Sequence, residues 1–105
     1  GPSTFEKTYV WEGQLTENVS SKRYYIYRDA TLTTILYNVN APGLSQATVV
    51  VKRNGVAINT INIPAGTTTG RNNVSIAILE NDYLTVDITR SSSAQNLYVT
   101  FVFGE

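Results

Sequence analysis

The chain has 105 residues, which is enough for one domain, and its eight basic and eight acidic residues give a formal net charge of zero. This balance argues against nucleic acid and anionic membranes as partners, because both attract proteins with a basic excess. Cysteine, methionine and histidine are absent. Their absence excludes disulfide staples, thiolate nucleophiles, the usual zinc sites and triads with an imidazole base. We expect no cofactor and no membrane insertion, since no apolar run is long enough to span a bilayer.

The composition favours strands, since Val, Ile and Thr supply 33 residues and the helix formers Ala and Glu are scarce. Apolar residues alternate with polar ones along the chain, and turn residues separate the alternating segments. The eight predicted strands are Phe5–Leu15, Arg23–Arg28, Leu32–Asn40, Ala47–Arg53, Val56–Ile63, Val74–Leu79, Tyr83–Arg90 and Leu97–Phe103.

Two local features refine this pattern. Asn54 and Gly55 predict a two-residue type I′ hairpin, because both residue types tolerate a positive φ. The phase of alternation changes within the fifth strand, which predicts a β-bulge near Asn59-Thr60. Residues Pro64–Asn73 are rich in Gly and Thr, and we expect them to form a long loop.

The fold class expected from these elements is all-β, an antiparallel β-sandwich of about eight strands and of jelly-roll type. A small closed barrel is the alternative. Gly1–Ser3 is interpreted as the remnant of a cleaved tag, because the chain contains no methionine with which translation would begin. Residues 4–105 are expected to form a single domain.

The acidic residues offer two candidate chemistries. Glu80, Asp82 and Asp87 lie close together in sequence, and a pair of carboxylates is what a glycosidase requires. Asp29 or Asp82 with backbone carbonyls would suit calcium, although no loop has the usual density of ligands. The simpler interpretation is that these residues form turns and a solvated strand face, so we expect neither catalysis nor a metal site.

Exposed tyrosines are the stronger signal for a binding site. Tyr83 and Asp87 lie on the outward phase of the seventh strand, and Tyr98 lies on the outward phase of the last strand. Tyr24 and Tyr25 are neighbours, so one of them faces outward as well. Aromatic rings among Asn, Asp and Thr suit sugars, because a ring stacks on the C–H face while polar groups bind hydroxyls. The alternative is that the rings pack on a neighbouring subunit or cover the core edges, and Trp11 is expected in the core.

Three ordered segments carry a resemblance to a known family. They are Trp11-Glu12-Gly13-Gln14-Leu15, the stretch from Val49 through Asn54-Gly55 to Thr67, and Asn81–Ile88. Together they resemble small β-sandwich domains, similar to carbohydrate-binding modules, in virion proteins of tailed bacteriophages. The chain departs from the family pattern in one extra hairpin residue, in Asn81 where glycine is usual, and in a serine-rich loop over residues 90–96.

The resemblance implies a domain of a tail fibre, baseplate or head fibre that helps the particle hold the host surface. The function expected is therefore non-enzymatic adhesion to host cell-surface polysaccharide, on the outside of the virion. Tyr83, Asp87 and Tyr98 are the expected ligand contacts, followed by Tyr24 and Tyr25. The alternative is a structural interaction or oligomerisation domain, whose partners are other virion proteins or a second copy of the chain.

Overall fold

The structure is a computed structural model that describes residues 4–104. The predicted tag remnant, Gly1–Ser3, lies outside the described residues, as does Glu105. The strands are β1 (Thr4–Gln14), β2 (Tyr24–Tyr25), β3 (Ala30–Ala41), β4 (Ala47–Arg53), β5 (Val56–Ile63), β6 (Thr69–Ile78), β7 (Tyr83–Arg90) and β8 (Gln95–Gly104).

The eight strands form two four-stranded antiparallel sheets. One sheet has the order β1-β8-β3-β6 and is called the β8 sheet below, and the other has the order β2-β7-β4-β5 and is called the β7 sheet. Each sheet combines strands from both halves of the chain, and these two strand orders are those of a jelly roll. The predicted β-sandwich of jelly-roll type is confirmed. The alternative of a closed barrel is wrong, because the strands form two separate sheets.

The core lies between the two sheets and is built by the period-two alternation of the strands. On β7, Leu84, Val86 and Ile88 point inward and are at most 2% exposed, as expected from their spacing. On β8, Phe101 and Phe103 are fully buried. The outward positions of the same strands therefore form the two outer faces on which a binding site can lie.

The hairpin and the bulge lie close to their predicted places. Asn54 and Gly55 have φ values of 52° and 85°, so both central residues of the turn are in the left-handed region. Val51 pairs with Asn59 while Lys52 pairs with Ala57, which leaves Ile58 as the extra residue of β5. The bulge thus lies one residue before the predicted pair.

The prediction of a long loop over Pro64–Asn73 is wrong, because β6 already begins at Thr69. The first half of β6 shows no alternation of apolar residues, because its inward positions are Gly70 and Asn72. Gly70 lies beneath the ring of Tyr37, which fills the place of a side chain there. Asn72 donates hydrogen bonds to the Asn59 Oδ1 (2.9 Å) and to the Thr60 carbonyl oxygen (3.2 Å). The ring of Tyr37 and the hydrogen bonds of Asn72 therefore take the place of apolar inward side chains in this half of β6.

We expect Gly70→Ala to lower the free energy of unfolding by about 1–2 kcal/mol, because overpacking forces neighbours off their rotamers. A Cβ at this position would overlap with the ring carbon Cζ and the hydroxyl oxygen of Tyr37. The matched control is Gly104→Ala, whose Cβ would meet only the Thr33 methyl at an ordinary 3.6 Å. Urea unfolding of both variants checks this expectation, and equal stability of the two would contradict it.

Candidate functional site

The candidate site begins with an irregular chain segment at the free edge of the β7 sheet. Asn18 and Ile88 exchange two backbone hydrogen bonds of 2.9 Å, and further along Tyr24 pairs with Leu84. Between these two points, the five residues 19–23 lie opposite only the three residues 85–87. Because the segment is longer than the strand it follows, it arches over the outer face of β7 and forms the wall of a pocket.

Asp87 holds this arch in place from the floor of the pocket. Its Oδ1 accepts the backbone N–H of Ser20 at 3.0 Å, and its Oδ2 forms an ion pair with the Lys52 Nζ at 2.7 Å. Lys52 lies on β4 and faces the same outer side, as a diagonal neighbour of Asp87 across the two strands. The side chain of Asp87 is only 4% exposed, whereas that of Lys52 is 33% exposed. The lysine therefore presents the accessible charge.

An aromatic and cationic rim lies at the mouth of the pocket. The rings of Tyr25 and Tyr83 have centroids 5.6 Å apart and are tilted by 53°. The Arg23 guanidinium lies 4.2 Å from the centroid of the Tyr83 ring, and its Nη1 donates to the Tyr25 hydroxyl at 3.3 Å. This hydrogen bond is the largest of the effects that raise the pKa of Arg23, so the rim keeps its positive charge.

The β4–β5 hairpin fixes the position of Tyr83. The Asn54 N–H donates to the Tyr83 carbonyl oxygen at 3.0 Å, and the Tyr83 N–H donates to the Asn54 Oδ1 at 3.1 Å. The Asn54 side chain also donates to the Asp82 Oδ1 at 2.8 Å. This hydrogen bond, with that from the Leu79 N–H, lowers the pKa of Asp82. The turn residue that makes the hairpin thereby also orients the rim.

The pocket has a volume of about 240 Å³ and opens widely to solvent. Its lining is Val19, Ser20, Ser21, Arg23, Lys52, Gly55, Tyr83, Thr85 and Asp87. Hydroxyl, ammonium and guanidinium donors surround one aromatic ring, and the lining carboxylate is already engaged. This arrangement suits a ligand with many oxygen acceptors and a flat apolar face, and a sugar ring has both.

The structure brings together three of the five predicted contacts. Tyr83 and Asp87 line the pocket, and Tyr25 is 45% exposed beside Tyr83. Asp87 lies on the outer face as expected, but it is 3% exposed rather than open to solvent. It therefore acts by positioning Ser20 and Lys52, because the arch and the lysine cover it.

The prediction that Tyr98 shares a face with Tyr83 is wrong. Tyr98 lies on β8, where it pairs with Val10 and Asn38, and it points away from the core on the outer side of the β8 sheet. Tyr83 lies on the outer side of the other sheet. The two residues are thus on opposite sides of the sandwich, because β7 and β8 belong to different sheets although they follow each other in the chain.

Tyr24 also differs from its expected place, because it points into the sandwich. Its ring makes an edge contact with Tyr9 at 6.4 Å and a tilted contact with Phe101 at 6.4 Å. The burial of the Tyr24 side chain also raises its pKa. Trp11 lies against the core as predicted, although it is only partly buried, and its Nε1 donates to the Gln14 carbonyl oxygen at 2.9 Å.

Sequence reasoning missed Arg23 and Lys52, which supply the positive charge of the site. Arg23 could have been found from the alternation of side chains along a strand. It lies two residues before Tyr25, so both side chains face the same side. No comparable signal existed for Lys52. Its contact with Asp87 depends on the register between β4 and β7, which are far apart in the chain.

The other two aspartates, Asp29 and Asp82, have structural partners. The Asp29 Oδ1 accepts the Glu80 backbone N–H at 2.9 Å, and the Asp82 Oδ2 accepts that of Leu79 at 2.9 Å. Residues 4–104 contain no group of three or more side chains placed to hold a metal ion. Over the same part of the chain there is no helix with the length and apolar character needed to cross a membrane.

Comparisons with known proteins bear on the fold. No protein-family model matches the chain, and no curated protein matches it either. The structure is similar to a solved structure of Bacillus endospore appendages, described as a novel family of disulfide-linked pili. The two align with a TM-score of 0.50 and 18% sequence identity, over 97% of this chain and 87% of that chain. At this identity the likeness supports the β-sandwich fold alone.

Proposed function

We propose that this domain is a non-enzymatic saccharide-binding domain that holds its parent particle on a cell surface. The observation that carries the proposal is the convergence of Arg23, Tyr25 and Tyr83 at the mouth of a pocket rich in hydrogen-bond donors. The Tyr83 ring offers a surface for the C–H face of a sugar, and Lys52 and Thr85 offer donors for its oxygens. Asp87 is committed to Lys52 and Ser20, so it supplies no free acid for glycoside hydrolysis.

The parent particle proposed is a tailed-bacteriophage virion, with host cell-surface polysaccharide as the ligand. This part of the proposal rests on the resemblance of the ordered motifs to virion domains, in which many copies act together. A shallow, open pocket binds one sugar ring weakly. Several copies on one particle increase the strength of attachment greatly, because each further contact forms at a high effective concentration.

The experiment that tests the proposal measures binding of the domain to intact cells and purified wall polysaccharide from candidate hosts. We expect Arg23→Ala and Tyr83→Ala each to weaken binding about tenfold, because each removes one half of the stacked rim. The matched control is Tyr98→Ala on the opposite face, which we expect to change affinity by less than about twofold. Circular dichroism verifies that each variant is folded.

Two results would overturn the proposal. One is the absence of binding to any saccharide. The other is binding that survives both rim variants and is lost with Tyr98→Ala.

A second candidate function is structural, as an assembly domain of a virion. It is favoured by the outer face of the β8 sheet, where Tyr98 lies beside Val10, which is 47% exposed, and Leu36 contributes a further apolar side chain. The similar solved structure is a pilus, which is an assembly of many subunits. The 105 residues here contain no cysteine, so any assembly through these residues proceeds without disulfides. Sedimentation of the protein and of Val10→Lys distinguishes this candidate, since it predicts oligomers that the variant dissociates.

A further inference from the structure

Cations and aromatic rings alternate along the side of the sandwich where β1 and the β2 segment are the free edges of the two sheets. Four cation–aromatic contacts occur among residues 4–104, and all four lie on this side. We call this surface the cation–aromatic ridge. Its contacts, with distances from the cation to the ring centroid, are Arg23 with Tyr83 (4.2 Å), Lys22 with Tyr24 (5.8 Å), Lys7 with Tyr27 (5.2 Å) and Arg28 with Phe5 (4.7 Å).

The ridge follows from the edge positions of its two chain segments. β1 is an edge strand of the β8 sheet, and its side chains that point toward the other sheet include Phe5, Lys7 and Tyr9. Inward residues at such an edge lie over the opening between the sheets, where a lysine reaches solvent while its stem packs on rings. Across the opening, residues 18–28 contain three cations and no carboxylate. Glu17 and Asp29 flank this stretch, so the positive excess at the opening is that of Lys7 and the three cations over these two carboxylates.

Three cations of the ridge are available to a ligand. Lys7, Lys22 and Arg23 form no ion pair with a carboxylate of the described residues. A cation held against a ring keeps donors directed at solvent, and Lys22 and Arg23 are exposed. The ridge also joins the pocket directly, because Arg23 belongs to both. Lys7 and Tyr27 line a second hollow together with Phe5 and Arg28, so the ridge continues beyond the pocket.

We propose that the ridge binds an anionic polysaccharide, a sugar chain that carries carboxylate or phosphate groups, with one unit in the pocket and neighbouring units along Lys22, Lys7 and Tyr27. This inference rests on the proposed function and specifies its ligand. The cations bind the anionic groups, and the exposed ring of Tyr27 stacks on a sugar face. The local charge explains how a neutral protein selects acidic polymers.

The test measures affinity for three immobilised polymers at low ionic strength: alginate, which carries carboxylates, phosphorylated dextran, which carries phosphates, and neutral dextran. We expect binding to an anionic polymer that weakens as salt rises, because salt screens exposed charges. We expect the double variant Lys7→Gln/Lys22→Gln to weaken this binding about fivefold or more. The control is Arg71→Gln, which removes one positive charge from exposed β6 on the other side of the sandwich and is matched to each of the single variants Lys7→Gln and Lys22→Gln. It should change affinity by less than about twofold.

The outcomes separate this inference from the proposed function. Binding to alginate alone identifies carboxylates as the recognised groups, and binding to phosphorylated dextran alone identifies phosphates. Equal affinity for dextran, or equal losses in the ridge variants and Arg71→Gln, overturns the anionic ligand and leaves saccharide binding intact. Binding to duplex DNA, measured as a further polyanion, but to none of the three polymers overturns the anionic polysaccharide as the ligand. Binding to none of these polymers overturns the inference, and the cell-binding comparison of the rim variants then decides the proposed function separately.

Discussion

Replacing Asp87 with alanine is expected to lower the free energy of unfolding by about 2–3 kcal/mol. Removal of one member of a buried ion pair costs about 3–5 kcal/mol, and the lower figure here reflects the partial exposure of Lys52. The Ser20 N–H also loses its acceptor, so the arch over the pocket loses its anchor. Chemical unfolding in urea measures the change, and the same variant should weaken saccharide binding because the pocket wall is no longer fixed.

Asp87→Asn provides the matched variant for this prediction. Its amide oxygen still accepts the Ser20 N–H while the charge interaction with Lys52 is lost, so we expect an intermediate loss of stability. A double-mutant cycle with Lys52→Met isolates the ion pair from other effects of the two substitutions. A stability of Asp87→Ala within about 0.5 kcal/mol of the unchanged protein would contradict the role assigned to Asp87.

The protein is expected to lose stability at alkaline pH through Tyr9. Burial, with smaller effects from Tyr24 and Asp87, raises the pKa of Tyr9 from 10.0 to about 12. The folded state thus holds the phenolic proton more tightly than the unfolded state. The resulting stabilisation is complete below pH 10 and is lost as the pH rises towards 12, and a difference of two pKa units corresponds to about 3 kcal/mol.

Urea unfolding at a series of pH values between neutrality and about pH 11 measures this loss. The control is Tyr9→Phe, which keeps the ring between the sheets and removes the titrating group. We expect the variant to show a shallower decline over the same range, although the raised pKa of Tyr24 contributes a further loss of the same sign. Identical pH dependence of the two proteins would contradict the assignment to Tyr9.

The fold was predictable where each strand buries one face and exposes the other. β4, β5 and β7 begin and end at the predicted residues, because their inward positions are apolar and turn residues flank them. The first half of β6 was not predictable in this way. Its inward positions are Gly70 and Asn72, whose partners Tyr37 and Asn59 lie on other strands. Only the three-dimensional pairing shows that these polar residues are in a strand.

The candidate site was predictable in part for a similar reason. Alternation places Tyr83 and Asp87 on one face, because both lie on one strand. It gives no information on which sheet each strand joins, so the expected contacts included Tyr98, which faces outward as predicted but from the opposite sheet. The arch formed by residues 19–23 exists because this segment is longer than the stretch 85–87 that it faces, which alternation along one strand does not reveal. The burial of Asp87 follows from that arch.

The most direct test of the account is a nuclear magnetic resonance titration of the domain with oligosaccharides prepared from the host polysaccharide. The account predicts that the amide signals that shift belong to residues 19–25 and to Tyr83, Thr85 and Asp87, joined by Lys7 and Tyr27 when the oligosaccharide is long enough to follow the cation–aromatic ridge. The signals of Tyr98 and its neighbours on β8 stay unchanged. Shifts centred on Tyr98 and Val10, or no shifts at saturating oligosaccharide, would contradict saccharide binding at this pocket.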